Sequence, residues 1–204
     1  MRQLPWIIVL VAVATGFGLW LGLRPAGPTD SAVFSALSVY PQPRALSPFS
    51  LDGADGQAVD AARLAGKVQL VFFGFTHCPD VCPTTLALMR DIDRLLAAAG
   101  LDERVGFLFV SIDPERDELK ALGEYTKYFS PRILAATADH ERLGALTREM
   151  GVLYVRETTE SSDYSIDHSA AVFVLDAEGR LLGRFPPPLD PEKMFADLRQ
   201  LAGQ

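Results

Sequence analysis

The run Val68-Gln69-Leu70-Val71-Phe72-Phe73-Gly74-Phe75 is almost wholly apolar and opens directly into Thr76-His77-Cys78-Pro79-Asp80-Val81-Cys82-Pro83. A short, continuously apolar segment of this kind fits a strand covered on both faces, which requires helices on either side of a central sheet. The loop at its end carries both cysteines of the chain, four positions apart and each followed by proline. Two thiols at the mouth of a buried strand constitute a site. Pro83 disfavours helical backbone at Cys82, while its own φ suits a first helical position, so the helix is expected to begin at Pro83 with Cys82 at its N-cap. A sulfur beside a helix N-terminus is expected to titrate low, in the thiolate form that binds soft metals and attacks disulfides.

Downstream, strand and helix patterns alternate. Leu88, Ile92, Leu95, Leu96 and Ala99 mark one helix face that ends at Gly100. Val105 to Ile112 reads as a strand, and Asp113-Pro114-Glu115 supplies the cap, proline and early acid of a helix running to about Phe129. Ile133 to Thr137 is predicted as a strand, Asp139 to Met150 as a helix closed by Gly151, and Leu153 to Thr158 as extended. Ala170 to Leu175, the turn Asp176 to Gly179 and Arg180 to Phe185 read as a hairpin, followed by a closing helix from Pro191 to Leu201. A β-α-β half followed by a β-β-α half, with a cysteine loop after the first core strand, is the thioredoxin arrangement. Asp52-Gly53 and Asp55-Gly56 add a hairpin ahead of it.

Leu4 to Leu23 is roughly 20 residues without a charge, with Trp6 and Trp20 near its ends, and is long enough to cross a bilayer as a helix. It exceeds the apolar core of a signal peptide and no clear cleavage site follows, so an uncleaved anchor is favoured over a removed leader. The expected organisation is an anchor over residues 1–24, a Pro, Ala and Ser-rich tether over 25–47, and one α/β domain over 48–204. The domain is then exported to the periplasm or an equivalent compartment. With 19 basic against 26 acidic residues, the chain is a poor partner for nucleic acid or an anionic membrane surface.

The three histidines are His77, His140 and His168. His168 lies in Asp163-Tyr164-Ser165-Ile166-Asp167-His168-Ser169, read as a polar loop before the strand at Ala170. In the thioredoxin arrangement that junction faces the cysteine loop. Two thiolates and an imidazole suit Cu(I), adapt to Cu(II), and with a fourth ligand hold zinc; a histidine there also serves simply to cap a strand. Asp80 and Asp167 are weaker candidates, as a tuning charge and an orienting acceptor. His77 is expected to point away from the site, His140 to lie on the surface, and the Asp113 to Asp117 block to be a helix start.

The runs Gly74-Phe75-Thr76-His77-Cys78-Pro79-Asp80-Val81-Cys82-Pro83-Thr84-Thr85-Leu86, Val110 to Asp117 and Asp163 to Ser169 resemble the three signature blocks of the Sco/SenC family of membrane-anchored copper proteins. The similarity covers about residues 47 to 202. It implies a thioredoxin-like fold with an added hairpin, preceded by one transmembrane helix. It implies copper held by Cys78, Cys82 and His168, and a role in building the dinuclear copper site of cytochrome c oxidase subunit II, with another copper carrier as a further partner. That is a metallochaperone, without catalytic turnover in the usual sense. The alternatives are a thiol-disulfide oxidoreductase that reduces the subunit II cysteines with Cys78 and Cys82 as its redox pair, and a copper or redox sensor.

Overall fold

Strand β4 (Val68–Gly74) is buried at every position and lies inside an eight-stranded sheet in a computed structural model that describes residues 13, 15, 34–158 and 164–203. Around it run β1 (Ser38–Arg44), β2 (Ser50–Gly53), β3 (Ala58–Asp60), β5 (Val105–Ser111), β6 (Ile133–Thr137), β9 (Val172–Leu175) and β10 (Leu181–Phe185), in the order β1-β10-β9-β4-β5-β6-β2-β3. Strands β4, β5 and β6 are parallel, and β9 runs antiparallel to β4. The helices are α1 (Ala61–Leu64), α2 (Val81–Ala98), α3 (Leu119–Phe129), α4 (His140–Met150) and α5 (Pro191–Ala202). A separate two-stranded sheet pairs β7 (Tyr154–Thr158) with β8 (Tyr164–His168).

The alternation of β4 divides its side chains between two cores. Leu70 and Phe72 pack with Leu86 and Met89 of α2 and Met194 and Leu198 of α5. Val71, Phe73 and Phe75 pack with Leu64 of α1 and Leu143, Leu146 and Met150 of α4. The architecture is the expected mixed α/β, thioredoxin-like one, with the added hairpin β2–β3 joined through β2 to β6. Helix ends follow local chemistry: Gly151 closes α4 at φ 76°, and Asp190 caps α5 ahead of Pro191.

Four local expectations differ from the structure. Helix α2 starts at Val81, two residues before Pro83, which falls in the first turn where an absent N–H breaks no helical bond. Helix α3 starts at Leu119 and not at Asp113, because the Asp113 carboxylate is drawn into side-chain contacts and caps nothing. His168 ends a strand, not a loop. Residues 38–44, inside the stretch read as tether, form β1 against β10. This strand contains Pro41 and Pro43, which an edge position accommodates. Just ahead of it, the buried Asp197 carboxylate accepts from the backbone N–H groups of Ser35, Ala36 and Leu37, each at 2.8 Å. Residues 34–44 are therefore part of the compact unit. The expected transmembrane helix lies outside the described residues apart from Val13 and Thr15. Among the described residues no helix is long and apolar enough to cross a membrane.

Candidate metal centre

The end of β4 is shaped to receive a sulfur. A Cβ on Gly74 would lie 2.5 Å from Cys82 Sγ and 2.9 Å from the Phe109 ring, so only glycine lets α2 bring that sulfur against the strand. Beyond Gly74 the backbone turns: the Cys78 N–H donates to the Phe75 carbonyl at 3.3 Å. The N–H of Thr76 donates to Asp117 at 2.9 Å and its hydroxyl donates to the same carboxylate at 2.5 Å. The Ser111 hydroxyl donates to Asp117 at 2.6 Å. At the start of α2 the N-cap residue Asp80 makes no side-chain cap. Cys78 Sγ takes that role, accepting from the Cys82 N–H at 3.4 Å. The half-exposed sulfur thus sits at the positive end of an 18-residue helix.

His168 reaches the same place from β8, where it pairs with Tyr154 of β7. Its ring packs between Phe72 and Phe75, with centroids 5.9 Å from each. Nδ1 lies 3.1 Å from the Ser169 carbonyl, which can only accept, so Nδ1 carries the proton. Nε2 therefore presents its lone pair, 3.3 Å from Cys82 Sγ. The donor atoms of Cys78, Cys82 and His168 all lie within 4.8 Å of one another.

Burial sets the charge states. Cys82 is fully buried, and desolvation pushes its thiol well above the ordinary range, against a smaller lowering by the hydrogen bond to Phe75. The low titration expected of a sulfur at the helix start is not found for Cys82, because burial raises its thiol. Burial also lowers the pKa of His168, with the Ser169 carbonyl and Asp167 opposing. The imidazole is neutral near pH 7 and ready to ligate. A soft cation that displaces the Cys82 proton would gain two sulfurs and one nitrogen in a largely dry site. That donor set fits copper and supplies only three of the four positions of a closed zinc site.

The weaker candidates are not part of this cluster. Asp80 and Asp167 are exposed, and the Ser169 carbonyl does the orienting proposed for Asp167. His77 is exposed at the rim, its Nδ1 3.1 Å from Thr76 Oγ1 and 3.6 Å from Asp117. His140 is exposed and paired with Glu115 at 3.3 Å. The block taken as a helix start has another role. Asp117 holds the cysteine loop, while buried Asp113 accepts from Arg116 Nε at 2.5 Å and from the Tyr164 hydroxyl at 2.6 Å. Arg116 also donates to the Tyr164 carbonyl at 3.0 Å and stacks 3.7 Å from the Tyr164 ring. Two aspartates following an apolar strand were the available signal, because a strand end that faces a site has buried donors to satisfy.

A family model described as SCO1/SenC matches residues 39–203. A mitochondrial SCO1 homologue of Arabidopsis thaliana is 39% identical over 132 residues, 64% of this chain, which spans only 39% of that relative's length. An SCO2-like protein of Rickettsia conorii is 30% identical over 196 residues, covering 95% of both chains. Among solved structures, Bradyrhizobium japonicum ScoI with copper bound is 34% identical with a TM-score of 0.70, covering 77% of this chain and 99% of that one.

Proposed function

The chain belongs to the SCO1/SenC family, and from that premise we propose that its folded domain binds copper through Cys78, Cys82 and His168 and delivers it during assembly of the dinuclear copper site of cytochrome c oxidase subunit II. Copper is cargo here. The observation that carries the reading is the convergence of two sulfurs and a correctly tautomerised imidazole within 4.8 Å. Each residue has a distinct task. The buried Cys82 thiol yields its proton as the metal enters; Cys78, at the rim, is the sulfur a receiving thiolate can approach first; His168 completes the set with a neutral nitrogen. The apolar run Leu4 to Leu23 would hold the domain at the membrane, with the site on the exported side.

The competing reading is reduction of the subunit II cysteines by the Cys78 and Cys82 pair. Both cysteines are free, and Cys78 is half-exposed, which favours attack on a disulfide. It gives His168 no task, however. Mixing copper-loaded domain and metal-free reduced domain separately with apo subunit II, while following metal and thiols together, separates the two. Copper delivery expects metal transfer from the loaded domain without net thiol oxidation. Oxidation of Cys78 and Cys82 in the metal-free domain, matched by reduction of a subunit II disulfide, with no metal transfer from the loaded domain, would overturn it.

A further inference from the structure

Strand β8 alternates in burial: Tyr164, Ile166 and His168 face the domain, while Ser165 and Asp167 between them are exposed. His168 is the end of that inward face at the sulfurs. Tyr164, roughly 13 Å back along the strand, is the other end, and Arg116 holds it. The Arg116 guanidinium lies 3.7 Å from the centre of the Tyr164 ring and 5.7 Å from that of Phe75. Its Nη1 donates to the Tyr164 carbonyl at 3.0 Å and its Nε to buried Asp113 at 2.5 Å, the carboxylate to which the Tyr164 hydroxyl also donates at 2.6 Å. A second guanidinium, that of Arg156 on β7, stands 4.0 Å from the same ring and pairs with Glu115 at 2.5 Å.

Phe75 joins this cluster to the metal centre, since its ring meets Arg116 and, edge-on at 5.9 Å, the imidazole of His168. Arg116 also adjoins Asp117, which holds the cysteine loop through Thr76. The N–H groups of these two neighbours both donate to the Asp113 carbonyl, at 3.3 Å and 3.0 Å. One turn of backbone thus grips the sulfur side of the site with Asp117 and the imidazole side with Arg116. Strand β8 needs such a grip, because among the described residues its ribbon has no ladder to the main sheet, and a slip of one residue would turn His168 to solvent. We propose that Arg116 is a positioning residue of the metal centre: by clamping Tyr164 it sets the register and depth at which β8 lies, and so brings His168 Nε2 to 3.3 Å from Cys82 Sγ. The inference rests on the copper-binding reading above and concerns a residue outside the ligand set.

Arg116→Lys keeps a positive charge opposite Asp113 but gives up the flat face and the fork that reaches two acceptors at once. The test places this substitution in the wild type and in His168→Ala, each as the reduced full-length chain. Cu(I) affinity, from competition with a chromophoric chelator, is expected to fall about 10- to 100-fold in the first background, the scale for losing a group that supports a ligand. In the second, where no imidazole is left to place, it should fall by no more than about twofold. In the metal-free protein, amide exchange is expected to lose protection along β7 and β8 and to keep it along β4 and β5. If Arg116→Lys does not fold, Tyr164→Leu, which leaves the Arg116 and Asp113 pair in place, is expected to show the same dependence on His168. Equal losses of affinity in the two backgrounds would overturn the proposal, since they would place the effect at the sulfurs or in the whole fold. So would unchanged affinity in the wild-type background, or protection lost equally from β4 and β8. A wild type that binds no copper overturns the functional reading instead, and the exchange pattern of the metal-free protein then decides on Arg116 by itself.

Discussion

The two cysteines and the histidine meet at one point but are held by different means. Cys78 and Cys82 bracket the junction of β4 and α2, fixed by the in-register ladder between β4 and β5, by the Gly74 contact and by three donors converging on Asp117. His168 stands on the β7–β8 ribbon, which among the described residues forms no ladder with the main sheet. The ribbon is docked by side chains: Ile166 is buried in the core, and Tyr164 bonds Asp113 and stacks on Arg116. Its other face leaves Leu153 and Val155 79% and 62% exposed. A ladder and a buried helix resist displacement more than a few side-chain contacts do. On the proposed reading, the two sulfurs are the more firmly held half of the site and the imidazole the less firmly held one.

Removing a fixed ligand should have the largest effect. Cys82→Ser is expected to abolish tight copper binding, since a hydroxyl is a poor soft-metal ligand; a chelator-competition titration that still gave one tightly held copper would place the metal elsewhere. His168→Ala comes next, with affinity lowered by more than the roughly 10- to 100-fold of a lost supporting partner. The thiol-disulfide potential of the Cys78 and Cys82 pair should hardly move, and a large shift would show that the histidine controls the sulfurs directly. Third is pH. Because Cys82 titrates well above neutrality, metal entry displaces its proton, so affinity should weaken by at least about tenfold for each unit of acidification. His168 titrates below its usual range, so the imidazole itself should add no proton to the balance until the solution is distinctly acid. A flat profile in buffered titrations would mean that both sulfurs are already ionised.

Smaller effects compare the two supports. Asp117→Asn puts an amide N–H among donors and should cost about 1–3 kcal/mol of stability in urea unfolding, with slackening of the Cys78 loop. Val155→Ser, on the exposed face of the ribbon, should change stability by less than about 0.5 kcal/mol and leave copper affinity alone. Equal losses for these two variants would erase the distinction between fixed and docked halves.

The sequence exposed most of the scaffold because its signals were local. The apolar run of β4, the turn at Asp176 to Gly179 and the Asp139 and Gly151 helix boundaries each sit within a few residues of what they determine. The two sulfurs were legible for the same reason. The remaining features depend on partners far along the chain. Asp117 acts on Thr76, 41 positions away, so its residues alone resembled an ordinary helix start. The raised Cys82 pKa arises from packing by both helix and strand, where spacing suggested only the helix field. Strand β1 was hidden by its prolines, and the β7–β8 pairing by a sequence too polar between its arms to resemble a hairpin.

Copper delivery from this site requires two sulfurs and one imidazole to share one metal. X-ray absorption at the copper edge of the Cu(I)-loaded domain reads that shell directly. Two sulfur scatterers and one imidazole nitrogen are expected in the wild type, with the nitrogen lost and both sulfurs kept in His168→Ala. A shell without sulfur, or one that His168→Ala leaves unaltered, would contradict it.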